Sequence, residues 1–227
     1  MGMGVLQSSP VPPIRSIGPE RAILQAAWPL AGTCGGSYDM RILLLDNFDS
    51  FTWNLYHLLA THAAVDVIRN DAVTVEEAAR YDRIVLSPGP GLPSEAGIMP
   101  ALLHALAPTK PMLGVCLGLQ AIVEEFGGKL INLPQVRHGV AVPCTPETPA
   151  DGLFAGIATP FQAGLYHSWA ADPGKLPAEL QITATSREGV VMAVRHRNLP
   201  LCGVQFHPES VLTPAGPAII RNWLARP

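Results

Sequence analysis

The 227-residue chain is short of charge, with only 15% Asp, Glu, Lys and Arg and a net charge of −3, and it contains no basic run. Without a basic stripe, neither nucleic acid nor an anionic membrane surface has an electrostatic footprint to hold. No apolar stretch reaches the length needed to span a bilayer as a helix. Cysteine is scarce: Cys34, Cys116, Cys144 and Cys202 form no C-x-x-C pair and no disulfide-framework spacing, as expected in a reducing compartment. The seven histidines do not fall at metal-ligand spacings. His207 and Glu209 could be ligands, but the sequence suggests no third. No internal repeat is present. What remains is a chain 48% hydrophobic, long enough for one large domain or two small ones, of which a single domain is favoured.

Residues 1–39 differ from the rest. Pro10, Pro12, Pro13, Pro19 and Pro29 punctuate them, and Cys34-Gly35-Gly36-Ser37 closes them. Leu30-Ala31-Gly32-Thr33-Cys34 approaches a lipoprotein cleavage site, but Thr33 spoils the spacing. The segment is read as a flexible extension, with the domain proper at 40–227.

From Met40 the pattern becomes regular. Arg41–Leu45 is an apolar strand, followed by the loop Asp46–Ser50, which ends in helix-cap residues, and a helix over 51–60. Val65–Ile68 and Arg83–Leu86 are further strands, with helices around 75–79 and 100–107. Met112–Val115 is a strand feeding a helix over 117–126. Strands and helices alternating at these lengths specify a mostly parallel sheet covered on both faces. Beyond Gly127-Gly128 come six extended pieces, 129–132, 140–142, 162–166, 181–185, 190–194 and 201–206, some of them antiparallel. Thr213-Pro214 then opens a closing helix with Ile220, Trp223 and Leu224 on one face.

The chemistry concentrates after three of the strands, the end of a parallel sheet at which sites collect. Cys116 stands between a strand and a helix, with Gly114 and Gly118 two residues to either side. That is the spacing of a nucleophile elbow, in which residues lacking Cβ permit a sharp turn. The helix N-terminus favours an anion, and the thiolate is the reactive form of cysteine. Taken alone, the pattern also fits a buried cysteine in a Gly-bounded turn. In Gln205-Phe206-His207-Pro208-Glu209, Glu209 can reach back to a ring nitrogen of His207 and fix its tautomer. Cys116, His207 and Glu209 then make a nucleophile, a base and an orienting group. The loop Pro88–Pro93 leaves glycine amides exposed, and the N–H groups of Gly89 and Leu117 could form an oxyanion hole. Gln120 lies one helical turn beyond Cys116 and could hydrogen-bond a polar substrate.

These residues carry a family resemblance. Asp46-Asn47-Phe48-Asp49-Ser50-Phe51-Thr52, Leu86-Ser87-Pro88-Gly89-Pro90-Gly91, Gly114–Gln120, Tyr166-His167-Ser168 and Gln205–Ser210, in this order, resemble the class I glutamine amidotransferases. Within them the likeness is to the glutaminase subunits of anthranilate synthase and aminodeoxychorismate synthase, over about residues 40–225. The resemblance implies a flavodoxin-like sheet with an antiparallel extension and a Cys116–His207–Glu209 triad acting on glutamine. It implies glutamine held by Gly89, Pro90, Gly91, Gln120, Ser168 and Trp169. It implies no cofactor on this chain, a cytoplasmic setting and a chorismate-binding synthase partner, which in this family would use Mg.

The chain departs from the family at Leu119, where a histidine is frequent, and at Val140-Ala141-Val142, where Lys-Thr-Ser is. Trp169 and Leu165 replace a frequent leucine and arginine. Anthranilate synthesis is the leading expectation, with aminodeoxychorismate synthesis beside it. The other readings are a γ-glutamyl hydrolase acting alone and a non-catalytic regulatory subunit.

Overall fold

The computed structural model describes residues 40–226; the readings made for residues 1–39 lie outside the described residues. Five strands run parallel: β1 (Arg41–Asp46), β2 (Ala64–Arg69), β3 (Arg83–Leu86), β4 (Met112–Val115) and β9 (Leu201–Val204). Four antiparallel strands continue the same sheet: β5 (Leu130–Pro146), β6 (Phe161–Ala171), β7 (Leu180–Ser186) and β8 (Val191–His196). The spatial order is β2-β1-β3-β4-β9-β8-β7-β5-β6. The last strand in the chain therefore sits mid-sheet, parallel to β4 on one side and antiparallel to β8 on the other.

Strand alternation sorts the core into two layers. Ile42 and Leu44 of β1 face α1 (Thr52–Ala60) and α5 (Gly216–Leu224), meeting Leu55, Leu59, Ile219, Ile220 and Trp223. Leu43 and Leu45 face the other way, into a layer with Leu102 and Leu103 of α3 (Met99–Leu106) and Leu119, Ile122 and Val123 of α4 (Leu117–Glu125). Ala78 of the short α2 (Val75–Ala78) joins this second layer. A strand buried on both faces must be apolar at every position, and β3 and β4 are buried throughout.

Three expectations need correction. The pieces 129–132 and 140–142 are parts of one strand, β5, which shifts register between Asn132 and Arg137 and again between His138 and Val140. The closing helix starts at Gly216, not Thr213-Pro214, and it is Pro217 that occupies its first turn. Thr213 is used elsewhere: its hydroxyl donates to the His207 carbonyl at 2.7 Å and accepts from the Gly164 amide at 2.9 Å. No side chain caps α1. The loop before it is instead organised by Asp46, whose Oδ1 accepts from the Phe48 and Asp49 amides and from Thr52 Oγ1.

Candidate active site

Four of the parallel strands deliver loops to one end of the sheet, each from its carboxyl terminus: β1 into Asn47–Phe51, β3 into Ser87–Gly91, β4 into Cys116 and β9 into Gln205–Glu209. Asn47 locks two of these together. Its amide donates to Ser87 Oγ and its Nδ2 to the Ser87 carbonyl, both at 2.9 Å, while its Oδ1 accepts from Asn70.

Cys116 is the joint between β4 and α4. It holds φ +52° and ψ −99°, a conformation that L-residues avoid and that is retained only where the surroundings impose it. The surroundings are visible. The Cys116 amide donates to the Val204 carbonyl of β9 at 2.8 Å. A Cβ on Gly114 would collide with the backbone of Gly118, and one on Gly118 would stand 2.6 Å from the Leu86 carbonyl. The two glycines thus let the first turn of α4 fold down onto β4 and β3. The thiol is nearly buried, at 5% exposure. Leu119, one of the departures from the family pattern, is wholly buried and packs over Gly203.

β9 brings the base. Register pairs Gly114 with Gly203 and Val115 with Val204, so the residues just past Val204 lie alongside Cys116. His207 Nδ1 and Glu209 Oε1 are 2.7 Å apart and both side chains are buried. A carboxylate only accepts, so Nδ1 carries the proton and Nε2 is the ring atom left for chemistry. Nε2 has no partner meeting hydrogen-bond geometry among the described residues. It nevertheless lies close enough to Cys116 for the thiol to act on it. Burial opposes the protonated ring, but Cys116 and Glu209 outweigh it and push the His207 pKa up to about 10. The ring is walled by Phe51 and Tyr166, with centroids 5.4 and 4.8 Å away. The Tyr166 hydroxyl is 3.0 Å from Ser210 Oγ.

The remaining expected residues fall around this pair. Gly89 is in close contact with Asn47 and Leu117: a Cβ there would lie 2.7 Å from each. Among the described residues the amides of Gly89 and Leu117 donate to no other group. Pro90 and Gly91 follow further along the same loop, nearer the surface. Gln120 is buried, and its Nε2 donates to the Trp169 carbonyl of β6 at 2.8 Å, so this side chain ties α4 to β6. The same carbonyl is 2.8 Å from His167 Nδ1. Burial holds His167 neutral, its pKa lowered to about 4. Ser168 and Trp169 are half-buried between these groups and the surface. The departures at 140–142 lie on β5 opposite Leu165–Ala163; Val142 enters the core and Val140 faces outward.

Three residues around the cluster have no role in the sequence reading: Phe51, Tyr166 and Gln205. All three stand inside motifs named there, and their closeness to Cys116 or His207 follows only from the folded sheet. A cavity of about 430 Å³ lined by Arg83, Arg195, Trp223 and Arg226 opens at the opposite end of the strands and does not touch this cluster. Among the described residues, no three His, Cys, Asp or Glu side chains are placed to hold a metal ion. Nor is any helix among them long and apolar enough to cross a membrane.

The arrangement offers a thiol at a helix N-terminus, a buried imidazole oriented by a carboxylate, and two backbone donors nearby. Comparison with known proteins identifies the family. The family model described as glutamine amidotransferase class-I matches residues 43–226. Aminodeoxychorismate synthase component 2 of Escherichia coli (strain K12) is 45% identical over 188 residues, which is 82% of this chain and 100% of that one. Anthranilate synthase component II of Haloarcula marismortui is 45% identical over 195 residues, covering 82% of this chain and 92% of its own. Among solved structures, a protein from Thermoplasma acidophilum described as a GMP synthase subunit matches with a TM-score of 0.73. It is 24% identical and covers 82% of this chain and 92% of its own, a likeness of fold.

Proposed function

Because the chain belongs to the class I glutamine amidotransferase family, we propose that it hydrolyses glutamine and hands the ammonia to a chorismate-using synthase, most plainly anthranilate synthase. The observation that carries the reading is Cys116, held at φ +52° beside the buried His207–Glu209 pair.

The geometry supports the following chemistry. The Cys116 thiolate attacks the side-chain carboxamide carbon of glutamine, and the charge that develops on oxygen is met by the N–H groups of Gly89 and Leu117. Protonated His207, whose high pKa keeps the proton available at neutral pH, gives it from Nε2 to the departing nitrogen. Ammonia leaves and a thioester remains on Cys116. His207, now neutral, takes a proton from water as that water attacks the thioester, and glutamate departs. Glu209 keeps the ring oriented through both steps. Glutamine is held along the Gly89–Gly91 loop and against Gln120, Ser168 and Trp169.

A partner that receives ammonia needs a surface next to the thiol. Phe48, Trp53, Val136 and Val211 are large, apolar and exposed, Val211 at 92%. Each stands close in the chain to a group of the cluster: Phe48 and Trp53 flank Phe51, Val211 follows Glu209, and Val136 precedes Arg137, which pairs with His167. Exposed apolar groups on the segments that carry the cluster support docking there.

The test mixes this chain with the synthase partners of anthranilate and aminodeoxychorismate formation and supplies chorismate and glutamine. Anthranilate that requires both chains and is lost in Cys116→Ser, while free ammonium still supports it, is the expected result. Formation of aminodeoxychorismate instead would keep the chemistry and change the partner, and component 2 relatives of both enzymes match this chain at 45% identity. Glutamine turnover that no partner accelerates would overturn the assignment to a two-chain synthase.

A further inference from the structure

Gln205 is wholly buried one residue past the end of β9. A buried primary amide with unmet donors and acceptors is costly, so its partners reveal what the position is for. Both ends of this amide are directed at the candidate site. Nε2 donates to Cys116 Sγ at 3.6 Å, and Oε1 accepts from Gln120 Nε2 at 3.5 Å. Gln120 Nε2 also donates to the Trp169 carbonyl. Sγ of Cys116, the Gln205 amide, the Gln120 amide and the Trp169 carbonyl therefore form one continuous chain from β4 across α4 to β6. The Gln205 backbone is held separately, its amide donating to the Met192 carbonyl at 2.8 Å. Its side chain is thus presented from a fixed base.

We propose that Gln205 is a positioning residue, holding the Cys116 sulfur in its attacking orientation and coupling that orientation to Gln120 in the glutamine pocket. The proposal rests on the reading of Cys116 as nucleophile. An N–H aimed at sulfur favours the charged form over the neutral thiol, because a charged acceptor makes the stronger bond. It also selects one χ1 of a side chain whose backbone is already strained. The same amide fixes Gln120, so that sulfur and pocket are set together.

Two experiments separate this from a packing role and from failure of the underlying reading. The first measures the rate of Cys116 alkylation by iodoacetamide against pH in the wild type, Gln205→Met and Gln205→Glu, with folding checked by circular dichroism. Met keeps the length and bulk of the side chain and deletes the donor; Glu keeps the shape and replaces the donor with a carboxylate. The expected result is an alkylation profile displaced to higher pH in both variants, with a rate near pH 7 lowered roughly tenfold by loss of a bond to a charged group. The second measures glutamine hydrolysis in the partnered complex, where kcat falls and KM for glutamine rises together because Gln120 loses its support. A wild-type alkylation profile in folded Gln205→Met would overturn the proposal and assign the position to packing. If Gln205→Met does not fold, Gln205→Leu, which likewise lacks the donor and adds no charge, decides on the same criterion. Slow, pH-insensitive alkylation of wild-type Cys116 would instead bring down the nucleophile reading itself.

Discussion

Glu209 acts on His207 through a contact of 2.7 Å, and that contact makes a measurable statement about protons. The folded ring, at a pKa of about 10, binds its proton more tightly than the unfolded ring, whose value is about 6.5. The stabilisation this linkage contributes is therefore complete below about pH 6.5 and is lost as pH rises through 10. In Glu209→Gln the His207 midpoint, followed by the imidazole NMR signals, falls well below that of the wild type. The gap in unfolding free energy between the two proteins, from urea titrations, is then widest below about pH 6.5 and narrows as pH rises toward 10. An unchanged His207 midpoint would mean that Glu209 does not hold the ring in solution. His167, on β6, is shifted in the opposite sense and kept neutral by burial. The two histidines show how little residue type alone says about charge.

At the scale of elements, the joint between β4 and α4 is where Cys116 holds a conformation that L-residues avoid. A strained non-glycine φ costs on the order of 1–3 kcal/mol. Cys116→Gly relieves that strain and Cys116→Ala does not, so the glycine variant is the more stable of the two by about 1 kcal/mol in chemical denaturation, although both lose the thiol. Equal stabilities would show that the turn adapts to whatever occupies it.

Elements also differ in how far they can be read from the chain. β3 and β4 occupy the spans expected of them, because continuous apolar runs bounded by turn residues leave few alternatives. β5 does not: Pro134, Arg137, His138 and Gly139 interrupt its apolar pattern, and two register shifts absorb them only because β6 is there to pair with. Thr213-Pro214 has the local chemistry of a helix start, yet the Thr213 hydroxyl is claimed by His207 of the preceding turns and by Gly164 on the distant β6. The site divides in the same way. The spacing of Gly114, Cys116 and Gly118 is local and legible, as is the two-residue step from His207 to Glu209. Gln205 lies in an apolar run that reads as a strand, and only the pairing of β9 with β4 turns its side chain into a neighbour of Cys116.

At the scale of the whole molecule, the exposed apolar groups around the site predict how the proposed partner is held. Trp53→Glu and Val211→Asp place charge on that surface without touching the Cys116 cluster. Each is expected to abolish co-elution with the synthase and to reduce glutamine-dependent product roughly tenfold or more, with the alkylation rate of Cys116 unchanged. Retained co-elution in both variants would move the docking surface elsewhere. Because such contacts are centred on a few large side chains, single substitutions suffice to test them.

The placement of β9 has a consequence in time as well as in space. β4 and its cysteine are made about halfway along the chain, while β9, one of the two strands that pair with β4, is the last strand of the sheet in chain order. In the sheet order β9 lies between β4 and β8, so before Leu201–Val204 is made neither of those two edges has its partner. Pairings over such sequence distances form late. On the proposed reading, Cys116 is translated well before the strand that completes its surroundings, so its environment is assembled only once β9 pairs with β4.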